Sequence, residues 1–197
     1  MLKPKQERSK QRIKTILETA EQILLDEGLE ALTIANISKF SGLKRTSTYK
    51  FFPTADSLKE TLIEEYILNC AKFFNDKSAN INTDQLSVVI LRCVEILYEY
   101  FDENKASQCI ILNNTVTPPV NASVIKHLST SIQSFVESNI ELPKMYNTDG
   151  IYRVLTQIII SIFSLNVKES NILNETGKIE AHRAGHAYML NWVNQSS

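Results

Sequence analysis

Apolar residues recur at three- and four-residue steps through most of the chain. Ile13, Ile16, Leu17, Ala20, Ile23 and Leu24 fall on one helix face, as a 3.6-residue period requires. Asp26-Glu27-Gly28 then breaks the pattern. Thr33 predicts an N-cap for a short second helix that turns Ile34, Ile37 and Phe40 inward. Ser41-Gly42 interrupts the chain again, Leu43 is the next apolar anchor, and a third short helix runs through Thr48-Tyr49 towards Phe51-Phe52. Pro53 stops it, and Thr54 caps a fourth helix from about Ala55 to Asp76.

After the polar stretch Asp76–Asp84, Leu86 to Asp102 predicts a long amphipathic helix with Val89, Ile90, Cys93, Val94, Leu97, Tyr98 and Phe101 apolar. A shorter segment, about Ser107 to Val116, ends at Pro118-Pro119, and another runs from Asn121 to Ile140 before Pro143. Thr148 to Val167 and Glu175 to Asn194 complete the series. No strand alternation or internal repeat stands out, so the predicted fold is all-α.

Composition narrows this picture only a little. At 197 residues, 43% hydrophobic, the chain is long enough for a core without metal or disulfide staples. Three widely spaced cysteines, Cys70, Cys93 and Cys109, argue against a disulfide framework or zinc site. No secretory signal is visible, and the apolar run Ile158 to Leu165 falls far short of the roughly 18 residues that span a bilayer. The expectation is a cytoplasmic protein.

Charge changes the picture more. The overall balance is -1, yet residues 1–14 carry six basic groups against Glu7 alone. Residues 1–60 hold 11 basic and 8 acidic groups, net +3, whereas residues 61–197 hold 10 and 14, net -4. A basic head on an acidic body fits a polyanion-binding end, or equally a solvated N-terminus.

The order of the first three helices favours the former. A Gly-containing tight turn between the second and third matches a helix-turn-helix unit. Ile34, Ile37, Leu43 and Phe52 supply its small core, and the third helix displays Lys44, Arg45, Thr46, Ser47, Tyr49 and Lys50. Amines and hydroxyls on a helix in the major groove can read base edges and grip phosphates.

The ordered set Ile16, Ala20, Leu24, Glu27-Gly28, Thr33-Ile34, Ile37, Ser41-Gly42-Leu43, Thr48-Tyr49-Lys50-Phe51-Phe52-Pro53 and Leu58 resembles the DNA-binding domain of TetR-family transcriptional regulators. The likeness covers about the first 58 residues; beyond them only the helical layout fits. It implies an N-terminal three-helix helix-turn-helix domain over residues 1–55 and a helical ligand-binding and dimerisation domain over residues 56–197. It also implies an Ω-shaped homodimer on a palindromic operator, released by a small molecule, with repression the family default. Control by a protein partner, or by oxidation of Cys109, is the alternative.

By the same resemblance Thr33 caps the second helix and touches phosphate, Tyr49 meets the DNA backbone and Lys50 a phosphate, and Arg45, Thr46 and Ser47 occupy the base-reading stretch. The sequence departs from the family pattern in four places. Lys44 replaces the serine that caps the recognition helix, Thr46 a small residue, Thr48 an apolar one, and Ala55 a phosphate-gripping lysine. Operator binding is therefore expected to lean on Lys44, Arg45 and the basic N-terminal arm.

For the body, the resemblance implies a cavity lined by Phe73, Cys93, Leu97, Tyr98, Ile110 and Phe135, with Gln108, Asn113 and Gln157 as polar fixings for a mostly apolar molecule. Leu155, Ile158, Ile159, Ile162 and Phe163, with Val154 and Leu165, are apolar around most of one helix. Ala184, Ala187, Tyr188 and Asn191 on the last helix allow close approach. The two helices read as a dimer seam, or as interior helices of a monomer. Cys109 starts a short helix, where a thiol is activated, or is a buried small hydrophobe. His182 and His186 share a face without a third ligand, so no metal is expected, and no cofactor either. No nucleophile elbow, phosphate-cradling loop or paired carboxylates point to an enzyme.

Overall fold

The computed structural model describes residues 4–113, 122–144 and 146–195. Among them every regular element is helical: α1 (Pro4–Asp26), α2 (Ile34–Ser41), α3 (Arg45–Phe51), α4 (Ala55–Ser78), α5 (Leu86–Glu103), α6 (Lys105–Ser107), α7 (Ala122–Asn139), α8 (Thr148–Ser170) and α9 (Glu175–Gln195). A 3₁₀ turn, Leu29–Ala31, joins α1 to α2, and α6 runs on into a π-helical turn, Gln108–Leu112. The all-α expectation holds. The predicted end of the sixth segment, through Val116 to Pro118-Pro119, lies outside the described residues.

The amphipathic stripe of α1 lands as its periodicity requires, with Ile16, Ala20, Ile23 and Leu24 buried and Ile13 and Leu17 packed at the margin. Thr33 caps α2, its hydroxyl accepting the Asn36 N–H at 3.1 Å. Gly42 closes the same helix at φ 68°, ψ 5°, a left-handed conformation that a β-carbon would strain. Ile34, Ile37 and Phe52 are buried and Leu43 packs against them. Phe40 is a correction: its side chain is 51% exposed rather than inward. It lies three residues past the fully buried Ile37, at the rim of the helix, where it lines a groove with Thr19 and Ile23 of α1 under the Lys39 amine.

Thr48 carries a polar atom into this small core. It is fully buried, where an apolar residue would be expected, and accepts a hydrogen bond from the Ser38 hydroxyl at 3.2 Å. The pair joins α2 to α3 and satisfies a hydroxyl that would otherwise be stranded.

α4 begins immediately after Pro53. The Thr54 hydroxyl accepts the Ser57 N–H at 3.0 Å, and the Ser57 hydroxyl accepts the Thr54 N–H at 3.3 Å, a reciprocal capping box. Leu58, Leu62, Ile63, Ile67, Cys70 and Phe74 then run buried along it. α4 packs on α5 and α7, α8 on α7 and α9, and α9 on α5. Gly185 permits that last approach, since a β-carbon there would stand 3.2 Å from Leu155 and 3.3 Å from Ile90. A single continuous core results, from Ile16 on α1 to Met189 on α9. By length and composition α8 could cross a membrane, but 56% of its most apolar window is buried in the fold, as in a core helix.

The hydroxyl pair between α2 and α3 is open to a double-mutant test. Thr48→Val should strand the Ser38 hydroxyl and lower stability by about 1–2 kcal/mol, and adding Ser38→Ala should restore most of it. Additive losses in urea denaturation would show that the two hydroxyls act independently.

Candidate nucleic-acid interface

α3 is short, and what it shows to solvent is decided by its one buried turn. Thr48 points into the core, so Lys44, Arg45, Thr46, Tyr49 and Lys50 are exposed and Ser47 half-buried. Lys44 stands at the N-cap, where its donor-only ammonium cannot accept the first helical N–H groups and makes no side-chain cap bond. The Arg45 guanidinium lies over the Tyr49 ring at 5.5 Å from its centroid and donates to the Tyr49 hydroxyl at 3.2 Å. That contact holds the long side chain in a defined direction before any ligand arrives.

A shallow surface depression is lined by Arg12, Gly42, Leu43, Lys44, Thr46, Ser47 and Lys50. Arg12 comes from α1 and was foreshadowed only as part of the basic N-terminal run; Lys3, from that run, lies outside the described residues. No carboxylate lines the depression, and among the described residues Arg12, Lys44, Arg45 and Lys50 form no salt bridge. Four uncompensated cations around a turn with exposed hydroxyls make a surface suited to a polyanion. Thr33 is also exposed, at the start of α2.

The residues expected to line an inner cavity divide into two groups. Cys93, Leu97 and Ile110 are wholly buried, Gln108 and Phe135 nearly so, and Phe73 and Tyr98 half-buried. They belong to one aromatic-rich interior: Phe135 packs edge-on to Phe74 at 5.8 Å, Tyr98 to Phe163 at 6.2 Å, and Phe73 meets Tyr100 at 5.6 Å. The Gln108 amide donates to the Phe101 carbonyl at 3.1 Å, closing the α5–α6 corner. Asn113 and Gln157 are corrections. Asn113 is exposed at the end of the π turn; Gln157 is on the outer face of α8, where its amide donates to Ser161.

The expected seam divides too. Leu155, Ile159 and Phe163 are wholly buried in this chain's own core and offer nothing to a partner. The opposite side of α8 keeps Ile158 and Ile162 half-buried and exposes Val154 and Leu165. On α9, Ala184 and Tyr188 are half-buried, whereas Ile179, Ala187, Leu190 and Asn191 are exposed.

Cys109 does not start a helix, because α6 begins at Lys105 and Cys109 lies inside the π turn. Its thiol is pushed above the ordinary thiol value by burial, only partly offset by a backbone contact at Leu29. His182 and His186 stack at 5.9 Å, and the His182 Nε2 lies 3.0 Å from the Ser87 carbonyl, tying α9 to α5. Among the described residues no group of three His, Cys, Asp or Glu is placed to hold a metal.

The geometry defines a helical protein with a helix-turn-helix head whose third helix is cationic and exposed. Its fold is that of the TetR-family transcriptional regulators. A TetR-family regulator from Streptomyces coelicolor superposes with a TM-score of 0.68 at 14% identity, over 92% of this chain and 99% of that one. A TetR regulator from Rhodococcus sp. RHA1 gives 0.68 at 15% identity, over 92% and 98%. The multidrug binding protein EbrR, complexed with imidazole, gives 0.62 at 14% identity, over 90% and 94%. No protein-family model and no curated protein matches the sequence.

The thiol makes a second expected outcome. With its pKa raised, Cys109 holds less thiolate at pH 7 than a free cysteine, so iodoacetamide should modify it more slowly in the folded protein. Labelling should accelerate only as pH climbs above the ordinary thiol range. Modification at pH 7 faster than free cysteine would mean that the thiol is activated.

Proposed function

We propose that the chain is a TetR-family transcriptional regulator, a repressor that binds a palindromic operator as a homodimer and leaves it when a small molecule enters the helical body. Residues 1–55 read DNA, and residues 56–197 sense and dimerise. The observation that carries this reading is the cationic set Arg12, Lys44, Arg45 and Lys50 around the Gly42 turn, none of it in a salt bridge among the described residues. Lys44, Lys50, Arg12 and Thr33 grip phosphates, Tyr49 positions Arg45 and meets the backbone, and Arg45, Thr46 and Ser47 face base edges.

Dimerisation is supported by an apolar stripe on α8 and a shorter one on α9, broken by Arg183. Val154, Ile158, Ile162 and Leu165 on α8 and Ile179, Ala187 and Leu190 on α9 fall on helical one-face spacing and leave apolar surface outside the core. Tyr188 and Asn191 border the stripe on α9. A two-fold axis would bring four helices together there. The effector is mostly apolar, in keeping with the aromatic interior of Phe73, Tyr98 and Phe135; EbrR is described as binding multiple drugs. The protein works in the cytoplasm, where its operator is.

Fluorescence anisotropy with the DNA flanking its own gene tests the head. Lys50→Ala and Arg12→Ala should weaken binding to all sequences and each lower the salt slope by about one counterion. Arg45→Ala should relax sequence choice, by about 1–3 kcal/mol at one base pair. No salt-dependent binding to any duplex would overturn the reading. For the seam, Leu165→Glu with Leu190→Glu should convert a dimer to a monomer in sedimentation, and a wild-type monomer would overturn that part alone.

A further inference from the structure

The first turns of α1 add nothing to the core. Gln6, Glu7, Arg8, Lys10, Gln11 and Arg12 are exposed, Ser9 is half-buried, and the first buried side chain described on the helix is Ile16. A helix end without tertiary packing depends on its own side-chain pairs, three and four residues apart. Those pairs divide by side. Lys10 stands three residues after Glu7, and Lys14 is bridged to Glu18 at 3.6 Å. Both lysines line a cleft between α1 and α4, among Glu18, Glu21 and Glu65.

Arg8 and Arg12 are placed otherwise. The residues three and four positions from Arg8 are Pro4, Lys5, Gln11 and Arg12, and those from Arg12 are Arg8, Ser9, Thr15 and Ile16. No carboxylate is among them, and neither arginine is in a salt bridge among the described residues. Two like charges at this spacing destabilise the helix that carries them. The pair is therefore a cost in the free protein, and a bound anion removes it. Arg12 already borders the depression that it forms with Gly42, Lys44, Ser47 and Lys50. Arg8 precedes it by four residues, on the same side of α1 and about 6 Å further along the axis. The cationic surface of α3 thus continues along α1, on the side opposite Lys10, Lys14 and the carboxylates of the cleft.

We propose that Arg8 lengthens the DNA contact of the head: its guanidinium takes a backbone phosphate beyond those held by Arg12, Lys44 and Lys50, outside the stretch of groove that faces α3. The contact rests on the operator reading of the head and adds affinity without sequence information. A guanidinium fits two phosphate oxygens at once, and the phosphate cancels the repulsion between Arg8 and Arg12. Lys10, on the other side of the helix, stays with the carboxylates and takes no part.

Anisotropy titrations of the full chain over a range of salt test this, with the duplex flanking its own gene and a random duplex of equal length. Arg8→Ala should weaken binding to both duplexes alike and lower the salt slope by about one counterion, and Arg8→Ala with Arg12→Ala by about two. Lys10→Ala, the same loss of charge on the other side of the helix, should leave the slope where it is. Arg8→Lys should keep it as well. Arg8 and Lys10 are both exposed, so thermal unfolding should not fall in either alanine variant. A slope lowered equally by Arg8→Ala and Lys10→Ala, or untouched by Arg8→Ala, would overturn the proposal and leave the operator reading standing. A wild-type chain that binds neither duplex would remove both.

Discussion

The capped start of α4 is the constraint on which the rest of the molecule depends. Pro53 ends α3, and the reciprocal bonds of Thr54 and Ser57 fix the first turn of a 24-residue helix two residues later. At the helical rise that helix is about 36 Å long. Leu58 and Leu62 lie near its start, and Cys70, Ala71 and Phe74 lie deep among α5 and α7. A rigid rod buried over most of its length cannot rotate at one end without disturbing the other. The direction in which α3 faces is thereby tied to the packing of the body.

A second connection runs beside the first. The Tyr100 hydroxyl donates to the Tyr66 carbonyl at 2.7 Å, joining α5 to the middle of α4. α6 and the π turn touch α1 as well as α4 and α8, and the Ser164 hydroxyl on α8 bonds the Leu112 carbonyl at 2.6 Å. A π turn is a helix with one residue too many for its hydrogen-bond ladder, so it holds a bend that straight α-helix would not. Here the bend lets one short segment meet the head helix on one side and the last pair of helices on the other.

Much of this was legible because it follows from local chemistry. Thr33, Gly42, Pro53 and Thr54 each act on the backbone within a few residues, so their effects could be read without knowing the fold. The stripe of α1 was equally plain. The charge split at residue 60 pointed to the head, and Arg12 and Lys44 carry that signal into the structure. What could not be read were matters of which side of a helix meets what. Phe40 has helical spacing from Ile37 and still sits at the rim. Gln157 and Leu155 are two residues apart on α8, yet one faces water and the other the core. The approach of α9 to α5 at Gly185 depends on how closely two distant helices can pack, and periodicity carries no information about that distance.

Helix α8 shows how far composition can mislead and then inform. It is apolar over enough of its circumference to pass as a membrane span, yet its buried side, Leu155, Ile159 and Phe163, is taken up by the core it forms with α7 and α9 and with the rings of Tyr98 and Phe101 on α5. What remains outside is a stripe spaced four, four and three residues, Val154, Ile158, Ile162 and Leu165. A lipid-facing helix has no reason to confine its exposed apolar groups to one stripe, whereas a helix that meets another helix does. α9, lying alongside, places Ile179, Ala187 and Leu190 within one arc of its circumference, interrupted by Arg183. The excess hydrophobicity that made α8 ambiguous in sequence is therefore divided between a fully used core side and one outward stripe, the surface on which the proposed dimer rests. Because that surface belongs to the body and the cations to the head, α4, which starts beside α3 and packs on α5 and α7, is the element through which the position of the one is tied to the packing of the other.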